Sequence, residues 1–370
     1  MRDDFEKETF DRANNELKDK TLRAMKVVIL TMPIMTLAMN LTVMAVVWFG
    51  GQQILIGDMP VGNLTAFTTY VTQILMSLMM VSMIMIQGSR AMASSHRILE
   101  VLDTEPSIED GTRDTFPVMK DGEVEFKDVS FKYPDAEEYV LEHISFSAKK
   151  GETIAFIGAT GCGKSTAINL IPRFYDATEG EVFVDGVNVK EYTQEALHNK
   201  IGYVSQKAIL FSGTIADNVA YGENGKAPAT QDDIAMAVKV AQASEFVEKK
   251  DQGYDGYVAQ GGSNFSGGQK QRLSIARAIA RQPEILIFDD SFSALDYKTD
   301  RILREALRKE CKDATKIIVA QRIGTIRDAD KIIVLDDGQI AGMGTHDELM
   351  KNCEVYQEIA YSQLSKEELA

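Results

Sequence analysis

The stretch GATGCGKST, residues 158–166, decides the fold of the second half of this chain. It follows the apolar run TIAFIG, Thr153 to Gly158, which predicts a buried strand, and it opens a helical segment. A strand, a glycine-rich turn and a helix in this order are typical of the phosphate-binding loop GxxxxGK[ST]. Its glycines let backbone N–H groups approach phosphate oxygens, and the start of the helix adds a favourable dipole. The sequence therefore predicts an α/β domain that binds nucleotide phosphates.

The residue types of this loop fit separate tasks in phosphate binding. Lys164 is expected to bind the β- and γ-phosphates, and the Ser165 hydroxyl to bind Mg²⁺. A thiol inside such a loop is expected to be exposed, so a bulky reagent on Cys162 should block ATP binding. The loop residues expected to contact the nucleotide are Gly158, Thr160, Gly161, Cys162, Gly163, Lys164, Ser165 and Thr166.

A second strand supplies the expected magnesium partner. Glu284 to Phe288, EILIF, is mainly apolar and ends in Asp289 and Asp290. A carboxylate at the end of such a strand can reach Mg²⁺ through water, and we assign that role to Asp289.

A further glycine-rich segment, NFSGGQKQR at residues 264–272, lies between these two elements. Its Ser-Gly-Gly run opens a predicted helix from Gln269 to Ala280, and helix N-termini attract anions. One chain has no evident use for two phosphate cradles on separate helices. Two chains that face each other head to tail would use both cradles, because each chain could offer this second cradle to the nucleotide bound by the other.

The first hundred residues have the composition of membrane-spanning sequence. Val27 to Trp48 and Leu64 to Ile86 contain no charged residue, and each exceeds the roughly 20 residues that cross about 30 Å of hydrocarbon. The loop Gly50 to Asn63 holds Asp58 and no lysine or arginine, whereas basic residues flank the two spans. The positive-inside rule therefore predicts a hairpin with both ends in the cytosol. Two buried helices of a soluble protein are the alternative.

These patterns divide the chain into four parts. We expect a partial transmembrane domain at residues 1–100 (helices near 27–48 and 64–86), a linker at 101–121, a nucleotide-binding domain at 122–362 and a tail at 363–370. The net charge of −15 argues against nucleic acid as a partner, because the basic surface that would bind phosphates is missing. The three cysteines fit neither a disulfide framework nor a zinc site.

With these motifs in this order, the chain resembles an ATP-binding-cassette (ABC) exporter half of the multidrug or lipid-export type, with SGGQ as the signature motif. The resemblance implies transmembrane helices followed by an ABC cassette with a RecA-like core, a β-subdomain and an α-helical signature subdomain. It implies ATP and Mg²⁺ as cofactors and a multi-pass protein of a bacterial plasma membrane, with its cassette in the cytoplasm. It also implies a second half-exporter as partner, and a small-molecule, drug-like or lipid substrate.

The resemblance assigns roles to further residues. Tyr133 would stack on the adenine, and Gln206 would touch Mg²⁺ and sense the membrane domain. The loop Ser293 to Asp296 would contact the partner cassette. The residues that would contact ATP held by the partner are Ser266, Gly267, Gly268 and Gln269.

Two residues depart from the family's catalytic pattern. Asp290 replaces the catalytic glutamate and is one methylene shorter, and a misplacement of about an ångström can lower a rate roughly 100-fold. Gln321 replaces the switch histidine, and an amide cannot exchange a proton near neutral pH. These changes resemble the degenerate subunit of heterodimeric exporters. We therefore expect this site to bind MgATP firmly and hydrolyse it slowly, while the signature completes a faster site on a different chain.

Several alternatives stay open at the level of sequence. A homodimer with two slow sites, or a regulatory subunit that binds ATP and gates a partner, would carry the same motifs. A soluble ABC ATPase of DNA maintenance is disfavoured by the two spans and the acidic charge. Exporter halves of this family have six spanning helices, and the two here resemble the fifth and sixth. We therefore expect an N-terminally truncated chain: a fragment, a broken reading frame or one piece of a split transporter.

Overall fold

The computed structural model describes residues 3–114, 121–134, 136–250 and 252–363. Residues 115–120 of the predicted linker and 364–370 of the predicted tail lie outside the described residues. The chain divides into two units, with the boundary after Pro106.

The first unit consists of two long helices, α1 (Asp3–Leu55) and α2 (Val61–Leu102). Within the described residues, the segments Pro33–Leu55 and Val61–Val81 are long and apolar enough to cross a membrane, with mean hydropathies of 1.7 and 1.5. They overlap the predicted spans, and no described residue of their most apolar stretches is buried inside the structure. Apolar helix faces of this extent need cover from lipid or from other helices.

The second unit alternates strands and helices. Its strands are β1 (Val124–Phe131), β2 (Leu141–Ala148), β3 (Thr153–Gly158), β4 (Glu179–Val184), β5 (Val187–Asn188), β6 (Ile201–Val204), β7 (Gly213–Thr214), β8 (Tyr257–Val258), β9 (Ile285–Asp289), β10 (Thr315–Val319), β11 (Lys331–Asp336) and β12 (Gln339–Gly344). Its α-helices are α3 (Lys164–Asn169), α4 (Gln194–Lys200), α5 (Ile215–Val219), α6 (Gln231–Val240), α7 (Ser244–Glu248), α8 (Gly267–Ala280), α9 (Tyr297–Glu310), α10 (Ile323–Ile326), α11 (His346–Asn352) and α12 (Glu354–Gln363). Short 3₁₀ turns lie at Gly253–Asp255 and Gln260–Gly262.

The core of this unit is a mixed sheet with the strand order β12-β11-β3-β10-β9-β6. All neighbours are parallel except β11 and β12. Every residue of β9 and β10 is buried, as expected for central strands covered on both faces. Because β3, β9 and β10 are parallel, their carboxyl ends meet at one edge, which is where open α/β sheets bind ligands.

Two smaller layers complete the unit. In the antiparallel sheet β2-β1-β4-β5, Phe126 stacks on Phe146, and Phe146 packs edge-on against Phe156 of β3; Ile168 of α3 belongs to the same apolar cluster. Helices α5 to α8 share a second apolar core with the other face of the central sheet, through residues such as Leu273. The predicted order of two apolar helices followed by an α/β domain, with an antiparallel β-subdomain and an α-helical subdomain, is confirmed.

Candidate functional site

The loop between β3 and α3 is shaped by its glycines. A Cβ on Gly158 would lie 2.1 Å from the carbonyl oxygen of Leu335 on β11, so only glycine allows this close approach. Gly163 adopts a left-handed conformation (φ 96°) directly before α3 begins at Lys164. A Cβ there would lie 2.9 Å from the carbonyl oxygen of Val140. The result is a tight turn whose backbone leads into a helix N-terminus, the geometry that receives phosphate oxygens.

The Lys164 side chain folds back into this loop. It is buried, and its Nζ donates hydrogen bonds to the carbonyl oxygens of Gly158 (2.9 Å) and Ala159 (2.7 Å). An ammonium group with three donors in this position can bind phosphate oxygens without leaving the loop.

Ser165 and Asp289 are brought together across the edge of the sheet. The Ser165 hydroxyl donates to Oδ1 of Asp289 at 2.7 Å, although the residues are 124 positions apart in sequence. Asp289 is the last residue of β9 and is buried. A hydroxyl and a carboxylate oxygen this close to a phosphate-binding loop are suitable hard ligands for Mg²⁺. The residues present therefore fit MgATP.

Tyr203, at the end of β6, was not recognised from the sequence. Its hydroxyl lies 2.9 Å from Oδ1 of Asn169 and 3.3 Å from Oδ2 of Asp289, so these two acceptors share its single proton. Burial, and then the Asp289 charge, raise the pKa of this phenol above its usual value, so it stays a donor. Asp289 is thus held through both carboxylate oxygens. The sequence feature that could have indicated this role is a phenol inside the otherwise apolar strand IGYV.

The residues predicted to be catalytic meet at Asp290. Oδ2 of Asp290 accepts hydrogen bonds from Nε2 of Gln321 (2.8 Å) and from Nε2 of Gln206 (3.1 Å). Burial raises the pKa of the Asp290 carboxyl, the Gln206 hydrogen bond lowers it, and the Asp289 charge raises it again. The net effect is a pKa above the usual aspartate value. Two amides on one oxygen hold this carboxylate without offering it a proton-transfer partner.

Tyr133 lies beside the start of α3. Its hydroxyl forms a hydrogen bond with Oγ1 of Thr166 at 3.0 Å, and its ring packs edge-on against Tyr175 with 5.2 Å between ring centroids. An aromatic ring is therefore placed next to the phosphate-binding loop.

The expectation of an exposed Cys162 thiol is wrong. Only 6% of Cys162 is exposed, and its side chain belongs to the apolar core below the loop. Its Sγ lies 3.6 Å from Nζ of Lys164. The tight turn directs this side chain inward, so alkylation is a poor probe of nucleotide binding.

The signature segment Ser266–Gln269 opens α8. Ser266 caps the helix: its Oγ accepts from the Gln269 N–H (3.3 Å), and the Ser266 N–H donates to Oε1 of Gln269 (3.0 Å). A Cβ on Gly268 would lie 3.1 Å from the carbonyl oxygen of Ala294, so this helix start adjoins the loop 293–296. In the described part of the chain, no hydrogen bond or ion pair joins Ser266–Gln269 to residues 158–166.

A second contact that the sequence did not indicate ties α8 to the loop that carries Gln206. The Gln271 side chain is almost fully buried, and its Nε2 donates to the carbonyl oxygen of Ser205 at 3.1 Å. A shift of the signature helix would therefore act on the residue next to Gln206.

Comparison with protein families identifies both units. Residues 141–293 match the model of the ABC transporter family, and residues 2–78 match that of the ABC transporter transmembrane region. A solved bacterial Atm1-family ABC exporter with ATP bound superposes with a TM-score of 0.79 at 33% identity, covering 90% of this chain and 58% of that one.

Curated relatives match over almost the whole chain. An uncharacterized ABC transporter ATP-binding protein of Mycobacterium tuberculosis is 44% identical over 98% of this chain and 62% of its own length. An ATP-dependent lipid A-core flippase of Haemophilus influenzae is 36% identical over 97% of this chain and 61% of its own length. This chain thus spans about three-fifths of the length of these relatives. It belongs to the ABC transporter family, as a cassette that follows ABC transporter membrane sequence.

Proposed function

We propose that this chain is an ATP-binding subunit of an ABC exporter, which couples MgATP binding and hydrolysis in a cassette dimer to substrate export. The observation that carries the proposal is the 2.7 Å contact between Ser165 and Asp289 at the phosphate-binding loop. The matched membrane sequence supports transport as the use of this site.

The nucleotide would be held by residues of several elements. Lys164 and the backbone N–H groups of residues 161–166 would bind the phosphates, and the Tyr133 ring would pack on the adenine. Ser165 and Asp289, with Gln206 beside them, would hold Mg²⁺, which neutralises charge on the terminal phosphates when bound.

This site is proposed to hydrolyse ATP slowly. Asp290 stands where a base would orient the attacking water, but its shorter side chain is held by the amides of Gln206 and Gln321. The Gln321 amide can donate to the γ-phosphate but cannot relay a proton. The signature Ser266–Gln269, which forms no hydrogen bond or ion pair with residues 158–166 in the part of the chain that the structure describes, would instead complete the site of a partner half-exporter.

The hairpin of α1 and α2 is proposed to lie in a bacterial plasma membrane with its ends and the cassette in the cytoplasm. Its exposed apolar side chains, such as Leu37 and Met44, support contact with lipid or with further helices. A lipid or lipid-like substrate is favoured because relatives include lipid A-core flippases.

ATP binding by the full chain in lipid nanodiscs tests this function. We expect Lys164→Ala to weaken MgATP binding about 10- to 100-fold, because hydrogen bonds to a charged group contribute about 1.5–3 kcal/mol. Lys309→Ala is the matched control, since 84% of that side chain is exposed on α9. Undiminished binding by Lys164→Ala, or no binding by the wild-type chain, would contradict the proposal.

A further inference from the structure

The last turn of α12 contacts the loop that carries Gln321. Nε2 of Gln363 donates to the carbonyl oxygen of Gln321 at 2.7 Å, and its Oε1 accepts from the Ile323 N–H at 2.9 Å. A single amide side chain thus satisfies a backbone acceptor and a backbone donor of the same loop.

This contact replaces a helix cap. Helix α10 begins after Arg322, whose side chain makes no capping hydrogen bond. The first N–H groups of a helix have no partner within the helix and need an acceptor from elsewhere. Oε1 of Gln363 supplies that acceptor to Ile323.

The loop is fixed on its other side by the site itself. The Gln321 side chain donates to Asp290. The Arg322 guanidinium reaches the carbonyl oxygens of Ser293 (3.3 Å) and Leu295 (3.5 Å). The loop 320–323 therefore lies between the phosphate side of the cassette and α12.

Helix α12 is held in place for this contact by buried side chains. Tyr356 and Ala360 on its inner face are fully buried, and the Tyr356 hydroxyl lies 2.7 Å from Nδ1 of His346 on α11. Gln363 follows Ala360 by three residues and so lies one turn further along the helix, close to the same face.

We propose that Gln363 is a positioning residue for Gln321. It holds the backbone from Gln321 to Ile323 so that the Gln321 amide faces Asp290 and the terminal phosphate of bound ATP. The inference rests on the proposed function, because it assumes that ATP binds at residues 158–166. It makes α12 part of the apparatus that distinguishes ATP from ADP.

Nucleotide binding by the full chain in nanodiscs tests this role. Dissociation constants would be measured with Mg²⁺ for ADP and for a non-hydrolysable ATP analogue. We expect Gln363→Ala to weaken binding of the ATP analogue by up to about 5- to 150-fold, the range for two neutral hydrogen bonds, and to leave ADP binding unchanged. Gln363→Glu keeps the acceptor for Ile323 but removes the donor to Gln321, and should have the same selective effect.

Two comparisons separate positioning from mere stability. Gln357→Ala removes another α12 glutamine, which donates to the Met350 carbonyl oxygen at 3.1 Å, and should leave the ATP-to-ADP preference unchanged. In a Gln321→Ala background, Gln363→Ala should have no further effect on that preference.

Four results would overturn the inference. Equal losses for ATP and ADP, or a full effect of Gln363→Ala without the Gln321 side chain, would assign Gln363 a purely structural role. Unchanged affinities in both Gln363 variants would show that the contact does not govern binding. A wild-type chain that binds neither nucleotide would overturn the proposed function itself, and this inference with it.

Discussion

Asp290 is the residue on which the slow-hydrolysis proposal depends most. It adopts a left-handed backbone conformation (φ 45°) directly after β9, which turns its carboxylate toward Gln206 and Gln321. Aspartate tolerates this conformation better than most residues. The carboxylate is buried and adjoins the charge of Asp289, and both raise its pKa.

The raised pKa of Asp290 implies that the free energy of unfolding depends on pH. The folded state favours the neutral carboxyl, so the stability that this group contributes is present at low pH and is lost as the pH rises through its folded-state pKa. We expect Asp290→Asn, which is neutral at all pH values, to raise the Tm at pH 7.5. The difference should shrink as the pH falls through the raised pKa toward the ordinary aspartate value of 3.8.

Thermal unfolding of the nucleotide-free chain across this pH range checks the prediction. Asp313→Asn, an exposed aspartate, controls for the loss of one negative charge. A Tm gain that does not depend on pH, or a loss of stability at pH 7.5, would contradict the assigned burial and charge of Asp290.

At this scale the sequence predicts residues that belong to spaced patterns, such as Lys164, Ser165 and Asp289. It does not predict Tyr203 or Gln363, because their roles arise from contacts over 86 and 42 positions along the chain. A lone phenol in an apolar strand and a glutamine at a helix end have no spacing that identifies such partners.

Among the elements, four described helices of the cassette begin with the same capping arrangement, and α8 and α6 are two of them. Ser266 with Gln269 caps α8, and Thr230 with Asp233 caps α6. Only the first cap lies in the glycine-rich segment proposed to reach a partner's nucleotide. A comparison of variants at these two caps therefore separates the effect of helix stability on ATP turnover from the effect of a contact with nucleotide.

We expect Ser266→Ala and Thr230→Ala each to cost about 1 kcal/mol of stability through the lost cap. In the complex isolated from membranes by a tag on this chain, Ser266→Ala should lower ATP turnover about 10-fold, and Thr230→Ala should have little effect. Neither change should alter the MgATP affinity of the chain's own site. Equal turnover in the two variants would argue against the shared site.

Element boundaries show what the sequence could and could not predict. Strand β3 was predicted at its observed bounds, because an apolar run meets a glycine turn. Helix α8 begins at Gly267, two residues before the predicted start, because the Ser266 cap compensates for glycines that disfavour helix. Strand β9 extends to Asp289, which pairs with Val319 of β10. Propensity alone does not place an aspartate in a buried strand.

At the scale of the whole molecule, the chain joins two units that differ in the burial of their apolar side chains. The second unit has its own apolar core, whereas many described apolar side chains of α1 and α2 are exposed. Charge-free runs predicted the helices of the first unit, and ordered motifs predicted the cassette of the second. The sequence predicts neither what covers the exposed apolar faces of α1 and α2 nor what receives the signature segment, because no residue pattern in the chain identifies either. The proposed pairing with a different half-exporter therefore requires a test on the isolated chain.

Single-turnover hydrolysis of MgATP by the purified full chain tests the central claim most directly. The wild-type chain should bind MgATP and hydrolyse it slowly. The double variant Asp290→Glu, Gln321→His should hydrolyse it at least about 10-fold faster, because a longer base and a proton-exchanging switch are restored. Asp313→Glu with Gln339→His, the same changes at exposed sites, should match the wild type. Robust hydrolysis by the wild-type chain alone, with no gain in the double variant, would contradict the account.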